Sequence, residues 1–291
     1  MKLKKIILLV SCCGFLLAKG QSILSPDRNM KIYLALLKTE DGNKLSYSIQ
    51  YKNKPIIINS DLGIHCWQGK NAFQITIMKE ILRNKKDTIW TPLYGERNSI
   101  RDHYNILEIS LSDSLNPRRS VHLQIRAYNE GVAFRYFIPE HPDGGEYLHI
   151  TSEQTEFTLP QGTKAWYTPV AQSEYRLLPL SDWPGECERP LTLELPGGLF
   201  ACLTEAEMVN YSRMKFALSN NKKNTVVCSM YGEVDEITPF YTPWRVVMVA
   251  ENPGSLLQNN DLILNLNPPS KLQETSWIKP GKVMREMSLS T

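Results

Sequence analysis
The sequence predicts an all-β fold: a sandwich of antiparallel strands with a short helical turn near the C-terminal end. Three observations carry that reading. Apolar and polar residues alternate in many short runs, turn-forming clusters separate those runs at regular intervals, and helical periodicity is sparse. A protein of alternating strands and helices would show amphipathic stretches between its apolar runs instead.

Taken in chain order, residues 1–20 read MKLKKIILLVSCCGFLLAKG, with three lysines ahead of an apolar stretch from Ile6 to Ala18 and then a small-x-small site at Ala18-Lys19-Gly20. This is the layout of a secretory signal peptide, so the protein is expected to be periplasmic or secreted. Leu9-Val10-Ser11-Cys12 also resembles a lipoprotein box that would acylate Cys12, but only four apolar residues precede it, so soluble export is preferred. The strands follow. In KLSYSIQY, Leu45, Tyr47, Ile49 and Tyr51 face one way and Ser46, Ser48 and Gln50 the other. In SVHLQIRAY, Val121, Leu123, Ile125 and Ala127 oppose His122, Gln124 and Arg126. This period of two marks half-buried strands. Comparable runs at 31–37, 73–82, 88–94, 104–111, 132–138, 156–159, 191–195, 199–203, 225–230 and 244–250 are punctuated by EDGN, HPDGG, PGG and SNNKKN. Asn252-Pro253-Gly254-Ser255 followed by Leu256 and Leu257 predicts one or two helical turns. From Asn265 the proline-punctuated NLNPPSKLQETSWIKPGKV reads as a linker leaving a finished domain.

Composition narrows the function classes. At 42% hydrophobic and 22% charged the chain is ordinary globular material, and it has no second apolar run of about 18 residues to span a membrane. Without Lys2, Lys4, Lys5 and Lys19 of the leader, the formal charge of +3 becomes −1, which argues against a nucleic-acid partner. Cys12 and Cys13 belong to the leader, and Cys66, Cys187, Cys202 and Cys228 form no C-x-x-C pair. Buried free thiols are expected, with Cys202 and Cys228 the pair best placed for a bridge if one forms.

Catalytic motifs are scarce. There is no G-x-S-x-G, no phosphate-binding glycine loop and no H-E-x-x-H, and the five histidines are scattered. Two carboxylates stand out by context. Glu205 follows the apolar run GLFACL, where a charge needs water, a partner or a metal, and Glu174 lies among aromatics and prolines in KAWYTPVAQSEYRLLPLSDW. Trp166, Tyr167, Tyr175 and Trp183 around that segment suit either sugar stacking or a seam with another domain.

The segments AYNEGVAFRYFIP, EYRLLPLSDWPGECERPLTLELPGGLFACLTEAEMVNYSRM and TPWRVVMVAENPGSLLQNNDLILNLNPPSKLQETSWIKPGKVMRE resemble the N-terminal region of glycoside hydrolase family 97. The opening SILSPDRNMKIYLAL with YKNKPIIINSDLGI looks like the start of that domain, and the resemblance covers residues 22–291. It implies a β-super-sandwich over residues 21–276, then at 277–291 a linker and the first residues of a (β/α)₈ barrel. In that family, of exported exo-acting α-glycosidases, both α-glucosidases and α-galactosidases, the catalytic acid and the base or nucleophile lie on the barrel. No catalytic residue is therefore expected on this chain, whose substrate would be an α-linked oligosaccharide or glycoside and whose partner would be its own barrel. The family's sandwich contributes a glutamate to a calcium ion at the active site. That role is carried onto Glu205, with Glu174 as the fallback, and only in an assembled enzyme. Arg135, in GVAFRY, is expected to serve the fold through a paired carboxylate. Two further readings stand beside this one: a stand-alone carbohydrate-binding or structural sandwich, and an inactive relic that has lost its barrel. The retained SWIKPGKVMREMSLST leading toward a barrel favours a fragment or an interrupted gene.

Overall fold
The computed structural model describes residues 20–40, 42–67, 73, 75–113 and 116–284. Residues 1–19, with the expected leader and its Cys12 and Cys13, and residues 285–291 lie outside the described residues. The first third of the chain forms β1 (Gly20–Leu24), β2 (Met30–Thr39), β3 (Gly42–Tyr51), β4 (Lys54–Leu62), β5 (Ile64–His65), β6 (Ile77–Trp90) and β7 (Ile100–Ser112). The middle adds β8 (Ser120–Tyr128), β9 (Gly131–Ile138), β10 (Tyr147–Ile150), β11 (Ser152–Glu153), β12 (Glu156–Thr158), β13 (Lys164–Tyr167) and β14 (Arg176–Pro179). The last third supplies β15 (Leu191–Glu194), β16 (Phe200–Ala206), β17 (Met214–Leu218), β18 (Thr225–Met230), β19 (Val234–Ile237), β20 (Phe240–Tyr241) and β21 (Trp244–Ala250). Helices α1 (Pro253–Gln258) and α2 (Asp261–Leu266) close the domain.

Among the described residues two large antiparallel sheets face each other. The smaller runs β1-β2-β3-β4-β12-β18-β17, and the larger runs β14-β13-β15-β16-β21-β9-β8-β7-β6 with β20 beside β9. Their inner faces supply one apolar core, from Ile32, Leu34, Leu45 and Tyr47 on one side to Leu107, Leu123, Ile125 and Phe134 on the other. Tyr47 meets Phe134 edge-on across the gap at 5.3 Å. Alternation in β8 falls as its sequence requires, Val121, Leu123, Ile125 and Ala127 buried and His122, Gln124 and Arg126 half-buried. Sheets twist, so such faces pack as two shells about 10 Å apart.

Local chemistry explains the connections. The β3–β4 hairpin turns on Lys52 and Asn53, both left-handed at φ 47° and 64°, as a two-residue turn between right-twisted strands requires. At the start of β9, Gly131 is obligatory for another reason: a Cβ there would lie 2.4 Å from the carbonyl oxygen of Val247 on β21. Asn252 caps α1 by accepting the amide of Ser255 at 2.9 Å, with Pro253 in the first turn.

The larger sheet is apolar on both faces where β21 crosses it. Every residue of β21 is buried, because Val247 and Val249 face the sandwich core while Trp244, Val246 and Met248 face α1 and α2. Leu256, Leu262 and Leu266 of those helices cover that outer face beside Tyr104 and Tyr128.

Two expectations change. The runs at 73–82 and 88–94 are not separate strands: β6 is continuous from Ile77 to Trp90, paired with β7 along its length apart from an irregularity at Glu80/Leu82. Its polar stretch NKKD does not break it because β6 is an edge strand with solvent on both faces, and charges such as Lys79, Arg83 and Lys85 discourage pairing with another chain. The linker-like character begins after Leu266 rather than at Asn265, since α2 buries Leu266 against the sheet. Strands β1, β4, β5, β10, β11, β13, β14, β17, β19 and β20 are additional to the runs read from alternation.

Phe134 sits at the centre of the inter-sheet core. Phe134→Ala is expected to lower the unfolding free energy by about 3–5 kcal/mol. Urea denaturation measures this, and a loss under about 1 kcal/mol would show that the two sheets do not depend on that contact.

Candidate functional site
Alternation along β21 places Arg245 on the same face as Val247 and Val249, so a guanidinium points into the sandwich interior with no exposure. The cost of burying that charge is met by two carboxylates. Glu205 lies directly opposite Arg245 on β16 and accepts Nη1 at 2.6 Å. Glu153 on β11 accepts Nε at 2.9 Å and Nη2 at 2.6 Å as a bidentate fork. Burial works to strip the proton from Arg245, but Glu153 and Glu205 hold its pKa well above the ordinary arginine value.

The cluster extends outward. Both Glu205 oxygens accept the backbone N–H of Met214 at 3.1 Å, and Oε1 also pairs with Arg189. Arg189 bonds Glu188 at 2.8 Å, and Glu188 takes Arg213 at 2.6 Å, so the chain Glu153–Arg245–Glu205–Arg189–Glu188–Arg213 runs from the interior to the surface. Burial pushes the Glu188 carboxyl up, yet Arg213 and the amide and guanidinium of Arg189 outweigh it and hold it below the usual glutamate range. With their oxygens committed to arginine and amide donors, these carboxylates support the β16–β21 pair and the segments 186–190 and 207–214 rather than face a substrate.

The sequence-derived candidates therefore part company. Glu205 is buried and saturated, and a cation bound there would have to displace Arg245 and Arg189. Glu174 is exposed in the loop between β13 and β14 and forms no hydrogen bond or ion pair with the described residues. The four aromatics also separate. Tyr167 and Trp183 are core residues 5.4 Å apart, whereas Tyr175, next to Glu174, is 55% exposed and Trp166, its indole N–H donated to Glu194 at 3.2 Å, is 38% exposed. Arg135 does pair with a carboxylate, Glu207 at 2.7 Å, with its guanidinium 4.3 Å from the Trp244 ring centre on the outer sheet face.

The four described cysteines are free thiols, and Cys202 is not bridged to Cys228. Burial pushes Cys66 and Cys202 up to about 12, so neither is poised as a nucleophile. Among the described residues no group of three or more His, Cys, Asp or Glu side chains is placed to hold a metal ion.

Sequence reasoning missed Arg245, Glu153, Glu188, Arg189 and Arg213. One signal was present: in TPWRVVMVA the arginine is the lone charge in an apolar run and occupies a core-facing position of the alternation. Its partner Glu153 comes from a two-residue strand remote in sequence, which no local pattern announces.

Residues 23–269 match the family described as Glycosyl-hydrolase 97 N-terminal. The chain is 22% identical over 324 residues to a retaining alpha-galactosidase of Bacteroides thetaiotaomicron, covering 97% of this chain and 46% of that protein. It is 26% identical over 167 residues to a probable retaining alpha-galactosidase of Streptomyces bingchenggensis, 56% of this chain and 25% of that one. The fold resembles a glycoside hydrolase family 97 enzyme of Pseudoalteromonas sp. strain K8, solved in complex with panose, at TM-score 0.77 and 30% identity, over 90% of this chain and 40% of that chain. This chain thus spans less than half the length of the relatives it matches.

Glu205→Gln leaves Arg245 and Arg189 underpaired inside the fold and is expected to cost about 3–5 kcal/mol of stability. Glu174→Gln should fall within about 0.5 kcal/mol of the parent in the same urea titration. Equal effects from the two substitutions would contradict the different environments assigned to them.

Proposed function
Because the chain belongs to the glycosyl-hydrolase 97 N-terminal family, we propose that it is the non-catalytic sandwich of an exported, exo-acting α-glycosidase whose chemistry resides on a (β/α)₈ barrel. The state of the buried carboxylates supports this reading best. Glycoside hydrolysis needs two carboxyl groups flanking an accessible scissile bond, one to protonate the leaving oxygen and one to act as base or nucleophile. Glu153, Glu188 and Glu205 are instead buried and held by arginines. The relatives also extend well beyond the matched region, with room for a barrel of about 250 residues.

The substrate class follows from the relatives and stays at the level they share. One is named a retaining alpha-galactosidase, and another was solved with panose, so a terminal α-linked glucoside or galactoside is the proposed substrate of the assembled enzyme. The sandwich would pack on the barrel and present the loop between β13 and β14, with the exposed Trp166 and Tyr175, to the shared cleft. The leader composition supports delivery to the periplasm or beyond.

Calcium takes six to eight oxygen ligands, and the described residues of this chain do not by themselves make such a site. One glutamate from the sandwich is the contribution we propose, with the remaining ligands from the barrel. Glu174 is better suited than Glu205, because its carboxylate is exposed and uncommitted. Bound there, calcium would supply positive charge at the active site.

The purified chain is expected to hydrolyse 4-nitrophenyl α-glucoside and α-galactoside no faster than buffer does, and turnover above that level would overturn the assignment of the chemistry to a barrel. In the chain joined to a family 97 barrel, Glu174→Gln should raise the calcium concentration for half-maximal activity by about tenfold, the scale of one lost charge-assisted contact. An unchanged calcium titration would remove Glu174 from the site.

A further inference from the structure
Between the end of the larger sheet and the two C-terminal helices lies a cleft open to solvent. Its walls come from four separate places: Arg101 and His103 at the start of β7, Asn129 and Glu130 in the β8–β9 turn, Asn259 after α1, and Asp261 and Asn265 on α2. The walls contain two kinds of polar group. Some are held. Arg101 forms a fork with Asp87 at 2.7 and 2.8 Å, Asp261 accepts Arg97 at 2.6 Å, and the Asn265 amide is fixed between the indole N–H of Trp90 at 2.7 Å and the carbonyl of Arg101 at 2.9 Å. Others keep free positions. The Glu130 carboxylate is met by its own backbone N–H and faces His103, which leaves acceptor positions open, the Asn259 side-chain amide has no partner among the described residues, and the Asn129 amide uses only its oxygen, which accepts the backbone N–H of Asp27 at 3.0 Å.

The free groups define what would fit. Glu130 accepts only, the Asn129 NH₂ donates only, and Asn259 does both, so they complement a ligand carrying several hydroxyls within a few ångströms of one another. Burial raises the Glu130 carboxyl, its own backbone N–H and His103 oppose the shift while Asp27 and Asp261 add to it, and donated hydroxyl hydrogens would relieve the remaining desolvation. The cationic walls are already neutralised, Arg101 by Asp87, so phosphate is disfavoured. Apolar lining is limited to Leu262 and the edge of Tyr128, which disfavours a hydrophobic ligand, and no cluster here meets the requirement for a metal. Trp90, 36% exposed, lies outside the lining and is tied to it through Asn265.

We propose that this cleft is a saccharide-binding site of the sandwich itself, holding a neutral mono- or disaccharide unit through Glu130, Asn129 and Asn259. Because it lies wholly within this chain, it stands or falls independently of the barrel and of the calcium assignment.

The test is a ¹H–¹⁵N titration of the whole chain with maltose, melibiose and cellobiose up to tens of millimolar. At least one sugar should shift the amides of Glu130, Asn259 and neighbouring residues, with affinity near the millimolar range typical of few-contact ligands. Glu130→Gln and Asn259→Ala should each weaken that binding by about tenfold. His149→Ala, on the exposed strand β10, should leave it unchanged. Thermal melts of the variants serve as the check on folding, and Asn259, outside the apolar core, gives a second reading if Glu130→Gln is destabilised. Absence of shifts with all three sugars, shifts confined to another surface, or unchanged affinity in a folded variant would each overturn the proposal.

Discussion
The sandwich is organised around a buried charge. Arg245 lies at a core-facing position of β21, the strand that is covered on both sides, and its guanidinium has no access to water. A charge in that position persists only if carboxylates reach it, so Glu205 must sit opposite on β16 and Glu153 must arrive from β11. Those demands fix the register of β16 against β21 and hold β11 and its partner β5 against the end of the core. A one-residue slip of β21 would turn Arg245 to the outer face and Trp244 inward, stranding both glutamates.

The same strand explains the position of the C-terminal helices. Because β21 presents Trp244, Val246 and Met248 outward, the larger sheet cannot leave that face to water, and α1 and α2 cover it with Leu256, Leu262 and Leu266. Beyond that cover the outer face becomes polar and aromatic, with Arg135 between Glu207 and the rings of Tyr241 and Trp244. The helices also create the cleft behind them, since their ends meet the β8–β9 turn without filling the space. Closure of one apolar face thus produces the concave polar surface from which the saccharide site is inferred.

For a domain of the family 97 N-terminal type this arrangement separates buried, arginine-bound carboxylates from exposed side chains. The carboxylates most deeply embedded are committed to arginines and brace the strands, while Glu174, Trp166 and Tyr175 lie on the exposed side of the β13–β14 hairpin.

Much of the fold was legible from residue order. Alternation in β3, β8 and β21 is a local property, since consecutive side chains of a strand must point to opposite faces, and the Asn252-Pro253 start of α1 is likewise local. Family-specific segments such as TPWR, with SWIKPGK beyond them, carried the resemblance to glycoside hydrolase family 97, and the match over 23–269, which includes TPWR but ends before SWIKPGK, bears out the family. Tertiary structure alone decided the rest. The continuity of β6 through NKKD depends on its place at a sheet edge, where polar residues cost nothing. Which of two glutamates is buried, and which of four aromatics is exposed, depends on strands distant in sequence: Glu205 meets Arg245 and Arg189 only when β16, β21 and the 186–190 segment converge. Alternation states which way a side chain points, but its environment is set by what folds against it, and that information is shared among residues as far apart as Glu153 and Arg245, 92 positions from one another.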